Sequence, residues 1–380
     1  MRRWLRALAA CGAVGCTAVA AAATLEVRPG QSLALALRAA ADGDTIALLA
    51  GDHHGEVGVI LQKQLTLRGV GGRAVLHADG RHAEGKAILV VRDGDIRIEN
   101  IEFRGARVPD HNGAGIRFER GRLWVSRCVF VDNENGILTA NFGDAELTVE
   151  DSEFAQATPS VRLPHLLYVG RIARFTLTGS HVHGGRDAHL VKSRARENHI
   201  LYNQLVDGAG GRASYELEFP NGGVAYVLGN VIGQGPETTN PVLVSFGAEG
   251  ADDREQLLVM AHNTLVSEGV RPGIFVHVHQ AKLARQVDVH FVNNLSVGFG
   301  FGELGLADVR RGNFTATAAV LKDADAGHYA LGRDSLLRGR GIEPGTVRGV
   351  SLAPQAEFTP PVGRRGLAVR TRWAPGAYQD

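Results

Sequence analysis

The segment "AYVLGNVI", residues 225–232, contains the pattern that decides the fold of this chain. A short run of strand-forming residues leads to a small polar residue, Asn230, and an apolar residue, Ile232, follows two positions later. The same pattern occurs in "IRIENIEF" ending at Phe103, "LWVSRCVF" at Phe130, "LTVEDSEF" at Phe154, "FTLTGSHV" at Val182, "HILYNQL" at Leu205, "LVMAHNTL" at Leu265 and "HFVNNLSV" at Val297. Successive copies end 23 to 33 residues apart, so the chain contains an internal repeat.

A repeat of this length predicts a solenoid. The period is too short for the blades of a propeller, and the segments lack the consensus of leucine-rich repeats. In a solenoid, each turn of chain contributes short strands that stack in parallel on the preceding turn. We therefore predict an all-β rod with about ten to twelve turns, roughly 50 Å long at about 4.8 Å per stacked strand.

The polar position of the repeat predicts a buried ladder along one corner of the solenoid. Its members are Ser152, Ser180, Asn203, Asn230, Asn263 and Asn294, with Cys128 and Ile101 in the earliest turns. Asparagine suits a corner between two strands because it tolerates the left-handed backbone region and its amide can bond to neighbouring turns. We therefore interpret these residues as structural and Cys128 as a small buried side chain.

The two ends of the solenoid need covers, because exposed strand edges template aggregation. Ser32 can cap a helix over about residues 32–42, with Leu33 and Leu37 on its buried face and Gly43 ending it. A strand over residues 45–49 then enters the stack. We predict one domain over residues 24–380, with an N-terminal cap at 24–50 and terminal coils with a wrapping tail from about 312 to 380.

The first 23 residues have the organisation of a secretory signal peptide. A basic start with Arg2, Arg3 and Arg6 precedes an apolar run over residues 7–20 and small residues at 21–23. This run is too short to span a membrane, and no other apolar run is long enough. We expect an exported protein, periplasmic or extracellular. The segment "LAAC" ending at Cys11 leaves a lipoprotein anchor as an alternative.

Charge and cysteine content narrow the possible partners and the source of stability. Removing residues 1–23 takes away three arginines and no acidic residue, so the net charge changes from +1 to −2. That charge argues against a general polyanion binder, and we expect no nucleic-acid partner. Cys128 is then the only cysteine, so a large core must hold the protein together without disulfides. We expect a monomer.

Basic residues concentrate in the segment "GRDAHLVKSRARENHILYN", residues 185–203. If the chain is extended at 192–196, Lys192, Arg194 and Arg196 point to one side. Neighbouring turns would add Arg171, Arg174 and Arg186. Arginine pairs with carboxylates through two hydrogen bonds, so the cluster predicts a groove near residues 165–220 for an acidic polysaccharide. A solvated basic turn is the alternative.

Nearly the whole chain after residue 23 resembles the right-handed parallel β-helix proteins of the pectin lyase-like superfamily. The resemblance rests on the N-terminal pattern "PGQSLALALRAAADGDTIALLAGDH", on the asparagine-marked turns, and on the tail "GHYALGRDSLLRGRG…WAPGAYQ". It implies a single-stranded right-handed parallel β-helix with an N-terminal capping helix. It does not identify the function, because the superfamily contains lyases, hydrolases, epimerases, esterases and adhesins.

The segment "RDAHLVKSRARENHILYNQL", residues 186–205, is similar to a motif of the chondroitinase B and alginate lyase family. On that match, Lys192 falls on the catalytic base and Asp187 on the second calcium-binding acid, with Gly185 in the position of the first. Glu218 stands about where the family has a catalytic arginine, and Arg212 lies nearby. The residues matched to the following strand are Asn198, Tyr202 and Asn203.

The resemblance implies a polysaccharide lyase that cleaves a uronate polymer by β-elimination. Lys192, Arg212 and Glu218 are the candidate catalytic residues, and Asp187 and Glu216 are candidate ligands for calcium. The candidate substrate-binding residues are Arg186, His189, Arg194, Arg196 and Tyr202. A lysine crowded by guanidinium groups favours its neutral form, which a base requires. Since these positions face outward, we expect their substitution to cost little stability.

Three other functions are also compatible with the sequence. The same groove could bind a polymer without cutting it, as in a surface protein, or serve a uronate epimerase. A glycoside hydrolase is the third, because Glu216 and Glu218 at i, i+2 could place their carboxyls roughly 7 Å apart. Two histidine pairs, His181 with His183 and His277 with His279, have strand spacing suited to a metal, with no third ligand evident.

Overall fold

The computed structural model describes residues 22–156, 158, 164–208, 210–251, 253–269, 271–304 and 308–379. The predicted signal peptide and the alternative anchor at Cys11 lie almost wholly outside these ranges. Within them, no helix combines the length and the apolar character needed to cross a membrane.

Two parallel sheets form the solenoid, which has about nine turns. Sheet 1 has 21 strands in two rows and sheet 2 has ten strands. The first row of sheet 1 is Thr24–Val27, Thr45–His54, Gln64–His77, Asp95–Glu99, Arg122–Ser126, Glu146–Glu150, Arg174–Thr178, Glu197–Leu201, Val224–Leu228, Leu257–Ala261, Asp288–Val292 and Val309–Arg311. The second row is Ile101–Arg104, Val129–Val131, Glu153–Ala155, His181–Val182, Gln204–Val206, Val231–Gln234, Thr264–Ser267, Leu295–Gly298 and Phe314–Ala316, and the two long strands Thr45–His54 and Gln64–His77 span both rows.

Sheet 2 closes each turn on the other side of the core. Its strands are Gly58–Ile60, Ala87–Val91, Ala114–Phe118, Asn135–Thr139, Leu167–Val169, Val191–Ser193, Leu217–Phe219, Val242–Phe246, Gly273–Val278 and Gly300–Leu304. Side chains alternate between the interior and the outside, so each turn adds apolar residues to one continuous core. The rings of Phe103, Phe130 and Phe154 stack there, with centroids 5.1 and 4.6 Å apart. This architecture confirms the predicted parallel β-helix.

The predicted ladder runs along the corner between the two rows of sheet 1. The Nδ2 atom of Asn203 donates to Oδ1 of Asn230 at 2.9 Å, and Asn230 donates in the same way to Asn263 at 3.0 Å. Asn294 and Asn313 continue the series, and Asn313 lies one step beyond the predicted members. The ladder is therefore confirmed as structural.

One detail of the ladder prediction is wrong. The left-handed backbone conformation falls on the residue before each ladder position, as at Tyr202 (φ 58°), His262 (φ 53°) and Asn293 (φ 55°). The turn into the second strand occurs one residue early, so the ladder side chains point inward and remain fully available for bonds between turns. Cys128 occupies the equivalent buried position, and burial raises the pKa of its thiol to about 12.

The capping helix spans Leu33–Ala39, and Ser32 is its N-cap, with Oγ accepting from the backbone N–H of Leu35 at 3.4 Å. Leu33 and Leu37 are buried against the first turn, which is the face predicted from the sequence. The helix is shorter than the predicted 32–42, because the backbone at Ala40 is already extended. The N–H of Ala40 still donates to the carbonyl of Ala36 and so caps the last turn.

The turn count is lower than predicted because the chain after Ala316 leaves the stack. It forms three antiparallel hairpins, which pair Leu321–Asp323 with His328–Leu331, Thr346–Val347 with Val350–Ser351, and Ala356–Phe358 with Arg364–Gly366. Short 3₁₀ helices lie at Gln280–Lys282 and Ala318–Val320. The tail contacts sheet 1, where Tyr202 Oη accepts from the backbone N–H of Gln355 at 3.1 Å.

Candidate functional site

The outer face of sheet 2 carries a row of polar side chains near the middle of the solenoid. Tyr168, Lys192, Glu218, Ser245 and His277 are consecutive register partners, one from each turn. Because parallel strands stack about 4.8 Å apart, side chains on the same face of adjacent turns can contact one another directly. We call these five residues the outer row.

Lys192 lies at the centre of the outer row and contacts two carboxylates. Its Nζ atom is 3.0 Å from Oε2 of Glu218 and 2.8 Å from Oε1 of Glu249. The same Oε2 of Glu218 is 2.9 Å from Nε2 of His189. Burial raises the pKa of Glu218, but the hydrogen bond from His189 and the charges of His189 and Lys192 outweigh it and bring the pKa below its ordinary value.

Two predictions about Lys192 are wrong. The groups that contact its ammonium are carboxylates, whereas the sequence predicted crowding by guanidinium groups. The side chain is also buried, with 8% of Lys192 and 3% of Glu218 exposed. Removing either partner leaves a buried charge with fewer contacts, so substitution here will affect stability more than an outward-facing position suggests.

The turn after Lys192 explains where the following arginines point. Ser193 Oγ donates to Oδ1 of Asn198 at 2.5 Å, and this bond closes the turn while Ala195 is buried. Arg194 is therefore on the outside, where it donates to Tyr168 Oη at 2.9 Å and pairs with Oε2 of Glu249 at 2.7 Å. A single carboxylate thus links Lys192 to Arg194.

An open cleft of about 720 Å³ lies next to this pair. Its cationic lining is Arg171, Arg194, Arg196, Arg254 and Lys282, and its other polar side chains are Asn141, Asn221, Glu249 and Asp253. Asn221 accepts from Arg194 at 2.7 Å and donates to the carbonyl of Gly250 at 2.7 Å, which ties the arginine to the far wall. The cationic groove expected near residues 165–220 is therefore present, with additional residues from 249–254 and 282.

Several polar atoms beside the outer row are buried without a hydrogen-bond partner in the described part of the chain. They are Nδ1 of His189, Oγ of Ser245 and Nε2 of His279. The ring centroids of His277 and His279 lie 3.7 Å apart. Burial, followed by the charges of His277 and Lys282, lowers the pKa of His279 to about 4, so this imidazole is neutral near pH 7. Among the described residues, no third ligand joins this histidine pair, and only His277 belongs to the outer row.

Three of the predicted residues lie in the chain segments that precede the strands Val191–Ser193 and Leu217–Phe219. Arg212 pairs with Asp187 at 3.0 Å, both side chains are about half exposed, and Arg186 forms an isolated parallel bridge with Arg212. Tyr202 lies on sheet 1 beneath the tail. The structure therefore brings together His189, Lys192, Arg194 and Glu218, with Arg196 at the cleft. The predicted residues that it does not bring to this network are Arg186, Asp187, Arg212 and Tyr202.

Glu216 and Glu218 do not form a pair of carboxylates. Glu216 precedes the strand and is fully buried in the core, and neither of its carboxylate oxygens has a partner among the described residues. Burial, with a smaller contribution from Asp207, raises the pKa of Glu216 well above its ordinary value. It can serve neither as the water-facing partner of an inverting hydrolase nor as an accessible ligand.

The residues expected to bind calcium do not make one site. Asp187 is exposed and paired with Arg212, whereas Glu216 is enclosed by the core. The backbone N–H of Gly185, in the position of the first acid, donates to Oδ1 of Asp207 at 2.6 Å. Calcium requires six to eight oxygen ligands around one point, and these side chains do not supply it. The calcium prediction thus rests on the resemblance alone.

The comparison with known proteins agrees with this fold. No protein-family model and no curated protein sequence matches the chain. Among solved structures, a crystal structure of pectate lyase Pel9A superposes with a TM-score of 0.61 at 14% identity, covering 94% of this chain and 96% of that chain. The fold is a parallel β-helix of the pectin lyase-like type. At this identity, the likeness of the two β-helices concerns their architecture.

Sequence reasoning missed two members of the site in this β-helix. Glu249 is 57 residues from Lys192 and lies in a loop with no motif around it. Ser245 is an unremarkable serine within an apolar strand, Val242–Phe246. The period-2 pattern of that strand places Ser245 on the outside, so aligning the strands of sheet 2 turn by turn is the signal that would have found it.

Proposed function

We propose that this β-helix protein acts on an acidic polysaccharide, as a lyase that cleaves a uronate polymer by β-elimination in the cationic cleft. The observation that supports the proposal best is the contact of Lys192 with Glu249, which lines this cleft and pairs there with Arg194. The architectural likeness to a pectate lyase supports it as well. The predicted signal peptide fits export to the periplasm or the cell exterior, where such polymers occur.

The carboxylate of Glu249 marks where a uronate carboxylate would bind. One oxygen contacts Lys192 at 2.8 Å and the other contacts Arg194 at 2.7 Å. The side chain of Glu249 is 43% exposed, so it can swing away and leave Arg194 to a substrate carboxylate, with Lys192 beside it. Arg171, Arg196, Arg254 and Lys282 then pair with acidic sugars further along the polymer.

The chemistry follows from this placement. Lys192 first gives its ammonium proton to solvent as Glu249 leaves, and the resulting amine takes the proton from the carbon beside the uronate carboxylate. The electrons of that C–H bond form a carbon–carbon double bond, the glycosidic C–O bond breaks, and the departing oxygen takes a proton from solvent. Arg194 stabilises the carboxylate as negative charge develops on it. General base catalysis of this kind contributes about 10²–10⁴-fold in rate.

Glu218 is a positioning residue in this scheme. It holds Nζ of Lys192 and Nε2 of His189 with the same oxygen, which fixes the lysine beside Glu249. Arg212, Arg186 and Tyr202 stay predictions, because the described contacts of Arg212 and Tyr202 are with Asp187 and Gln355, outside this network. We derive no step through calcium, and unchanged activity after dialysis against EDTA is the expected result.

The test is a screen of purified protein against alginate, pectate, chondroitin and bacterial capsule polymers. Lyase activity is measured by the ultraviolet absorbance of the unsaturated uronate, and binding by retention on each polymer. Binding without new absorbance or new reducing ends would make the protein a polysaccharide-binding β-helix. New reducing ends without absorbance would indicate a hydrolase, and inverted uronate carbons by NMR would indicate an epimerase.

A further inference from the structure

A second cluster of ligand-type side chains lies on sheet 1, away from the cleft. Glu153 and His181 are direct register partners in adjacent turns, and His183 follows two residues after His181 on the same outer face. One ligand atom from each of these three residues lies within 4.8 Å of the other two. Glu153 is therefore the third ligand that the sequence spacing of the two histidines did not reveal.

The surroundings of His181 orient its ring. One ring nitrogen donates to the backbone carbonyl of Pro361, in the tail that packs over this part of sheet 1. Histidines that bind metals almost always donate their second ring N–H to a carbonyl or a carboxylate, which fixes the ring. Next to it, Gln204 is buried with its Oε1 atom unpartnered in the described structure, and its Nε2 lies 3.4 Å from Nε2 of His181.

The electrostatics of the cluster also suit a cation. Nε2 of His183 is 3.0 Å from Oε1 of Glu153, and the rings of His181 and His183 stack with centroids 4.2 Å apart. The two imidazoles and the carboxylate therefore present their ligand atoms to one point, which is the arrangement that a metal ion requires.

We propose that Glu153, His181 and His183 bind one divalent transition-metal ion of the zinc type. Two imidazole nitrogens and one carboxylate oxygen are a donor set that Zn²⁺ uses with a fourth position open to water. Calcium and magnesium prefer sites made of oxygen alone, so this site selects against them. The site is separate from the proposed lyase cleft, and it places a metal where the tail meets the solenoid.

A second triad provides an internal comparison. Asp52, His54 and His77 also bring three ligand atoms within 4.8 Å, with His77 partly buried and the other two exposed. There His54 pairs with Asp79 and His77 with Asp52, both at 2.8 Å. No described contact of these two histidines is to a backbone carbonyl, and we expect this triad to bind zinc at least tenfold more weakly.

Zinc titration of chelator-treated protein by calorimetry tests the proposal, with Co²⁺ absorbance in the visible range as a report on coordination geometry. We expect one high-affinity equivalent and a rise in the thermal midpoint with zinc, because the ion binds the folded state. His181→Ala and His183→Ala should each weaken binding at least tenfold and abolish the thermal shift. The volume-conserving Glu153→Gln and His183→Gln give the same result if an alanine variant fails to fold.

The matched control is His199→Ala. His199 lies on the same sheet and pairs with Glu197 at 2.6 Å, but it has no second histidine beside it, so zinc binding should be unchanged. The proposal is wrong if the wild-type protein binds no stoichiometric zinc, if the three ligand variants bind like the wild type, or if only His54→Ala or His77→Ala removes the high-affinity ion. None of these readouts depends on lyase activity.

Discussion

The corner ladder of sheet 1 and the outer row of sheet 2 are both columns of polar side chains, but they differ in how well their polar atoms are hydrogen-bonded. In the ladder, Asn230 accepts from the backbone and side chain of Asn203. It donates to Asn263, to the carbonyl of Ile200 in the preceding turn and to the carbonyl of Leu228. In the outer row, Ser245 Oγ is buried without a partner, and the exposed Glu249 supplies one of the two contacts of Lys192.

This difference in hydrogen bonding arises because the ladder repeats one residue type, whereas the outer row contains five different ones. An asparagine above an asparagine presents the same donor and acceptor to each neighbour, so a column of identical amides satisfies itself. Tyrosine, lysine, glutamate, serine and histidine stacked in sequence have no such complementarity. A solenoid keeps such a mixed column only where another requirement outweighs the cost of unpaired polar atoms, which is why we place the site there.

The largest expected effect separates catalysis from structure in the outer row. Lys192→Met should lower turnover on a cleaved polymer by about 10³-fold while polymer binding changes less than threefold, because a base acts in the transition state. The free energy of unfolding should fall by about 1–3 kcal/mol, because Glu218 loses a buried partner. Initial rates, polymer retention and urea denaturation measure the three quantities.

Lys282→Met is the control for this first experiment, because it removes a cation from the same cleft without contacting Glu218. It should weaken binding and leave the turnover of bound polymer nearly unchanged. Full activity of the Lys192→Met variant would show that Lys192 is not the catalytic base and that the active site lies elsewhere.

The ladder should respond in stability instead of activity. Asn230→Ala leaves the backbone N–H of Asn203 and two carbonyls without their buried partner, so we expect a loss of about 2–4 kcal/mol in the free energy of unfolding. Asn313→Ala, at the partly buried end of the ladder, should cost about half as much. Equal losses at the two positions in urea denaturation would contradict a cooperative ladder.

The buried Glu216 gives a prediction that depends on pH. Its raised pKa means that the folded state keeps the proton while the unfolded state releases it above the ordinary value of 4.5. Its contribution is thus present at low pH and is lost as the pH rises, by at most about 1.4 kcal/mol per pH unit. Glu216→Gln should therefore match the wild type near pH 4 and become more stable than it at neutral pH.

Thermal denaturation between pH 4 and 8 measures this difference, and Glu146→Gln, at a half-buried position on sheet 1, is the control. A constant gap between wild type and Glu216→Gln across that range would show that Glu216 does not change its protonation on unfolding.

The smallest expected effect concerns polymer affinity. Arg194→Ala should weaken binding of a uronate polymer about tenfold, or about 1.4 kcal/mol, and make the affinity less sensitive to salt. Arg174→Ala is the matched control, because Arg174 was predicted for the same groove but pairs with Glu197 on sheet 1. Equal effects of the two substitutions in salt titrations would show that binding follows overall charge and not the cleft.

The sequence predicted the features that depend on repetition and on local chemistry. The apolar period gave the solenoid, the recurring asparagines predicted the ladder, and Ser32 marked the start of the cap. These predictions succeed because the inward or outward direction of a side chain in a strand is set by alternation along the chain itself.

The sequence by itself therefore determined the repeat, the direction of each side chain and the position of the basic segment. Only the tertiary structure decided that Glu249 holds Lys192 and that Glu153 completes the histidine pair. It also decided that Glu218 is paired with His189 and Lys192, whereas Glu216 is buried without a partner among the described residues. Contacts in a solenoid join residues one or more turns apart, and the register between turns depends on loops of unequal length. Those lengths decide which outward side chains meet, and no local pattern in the sequence encodes that outcome.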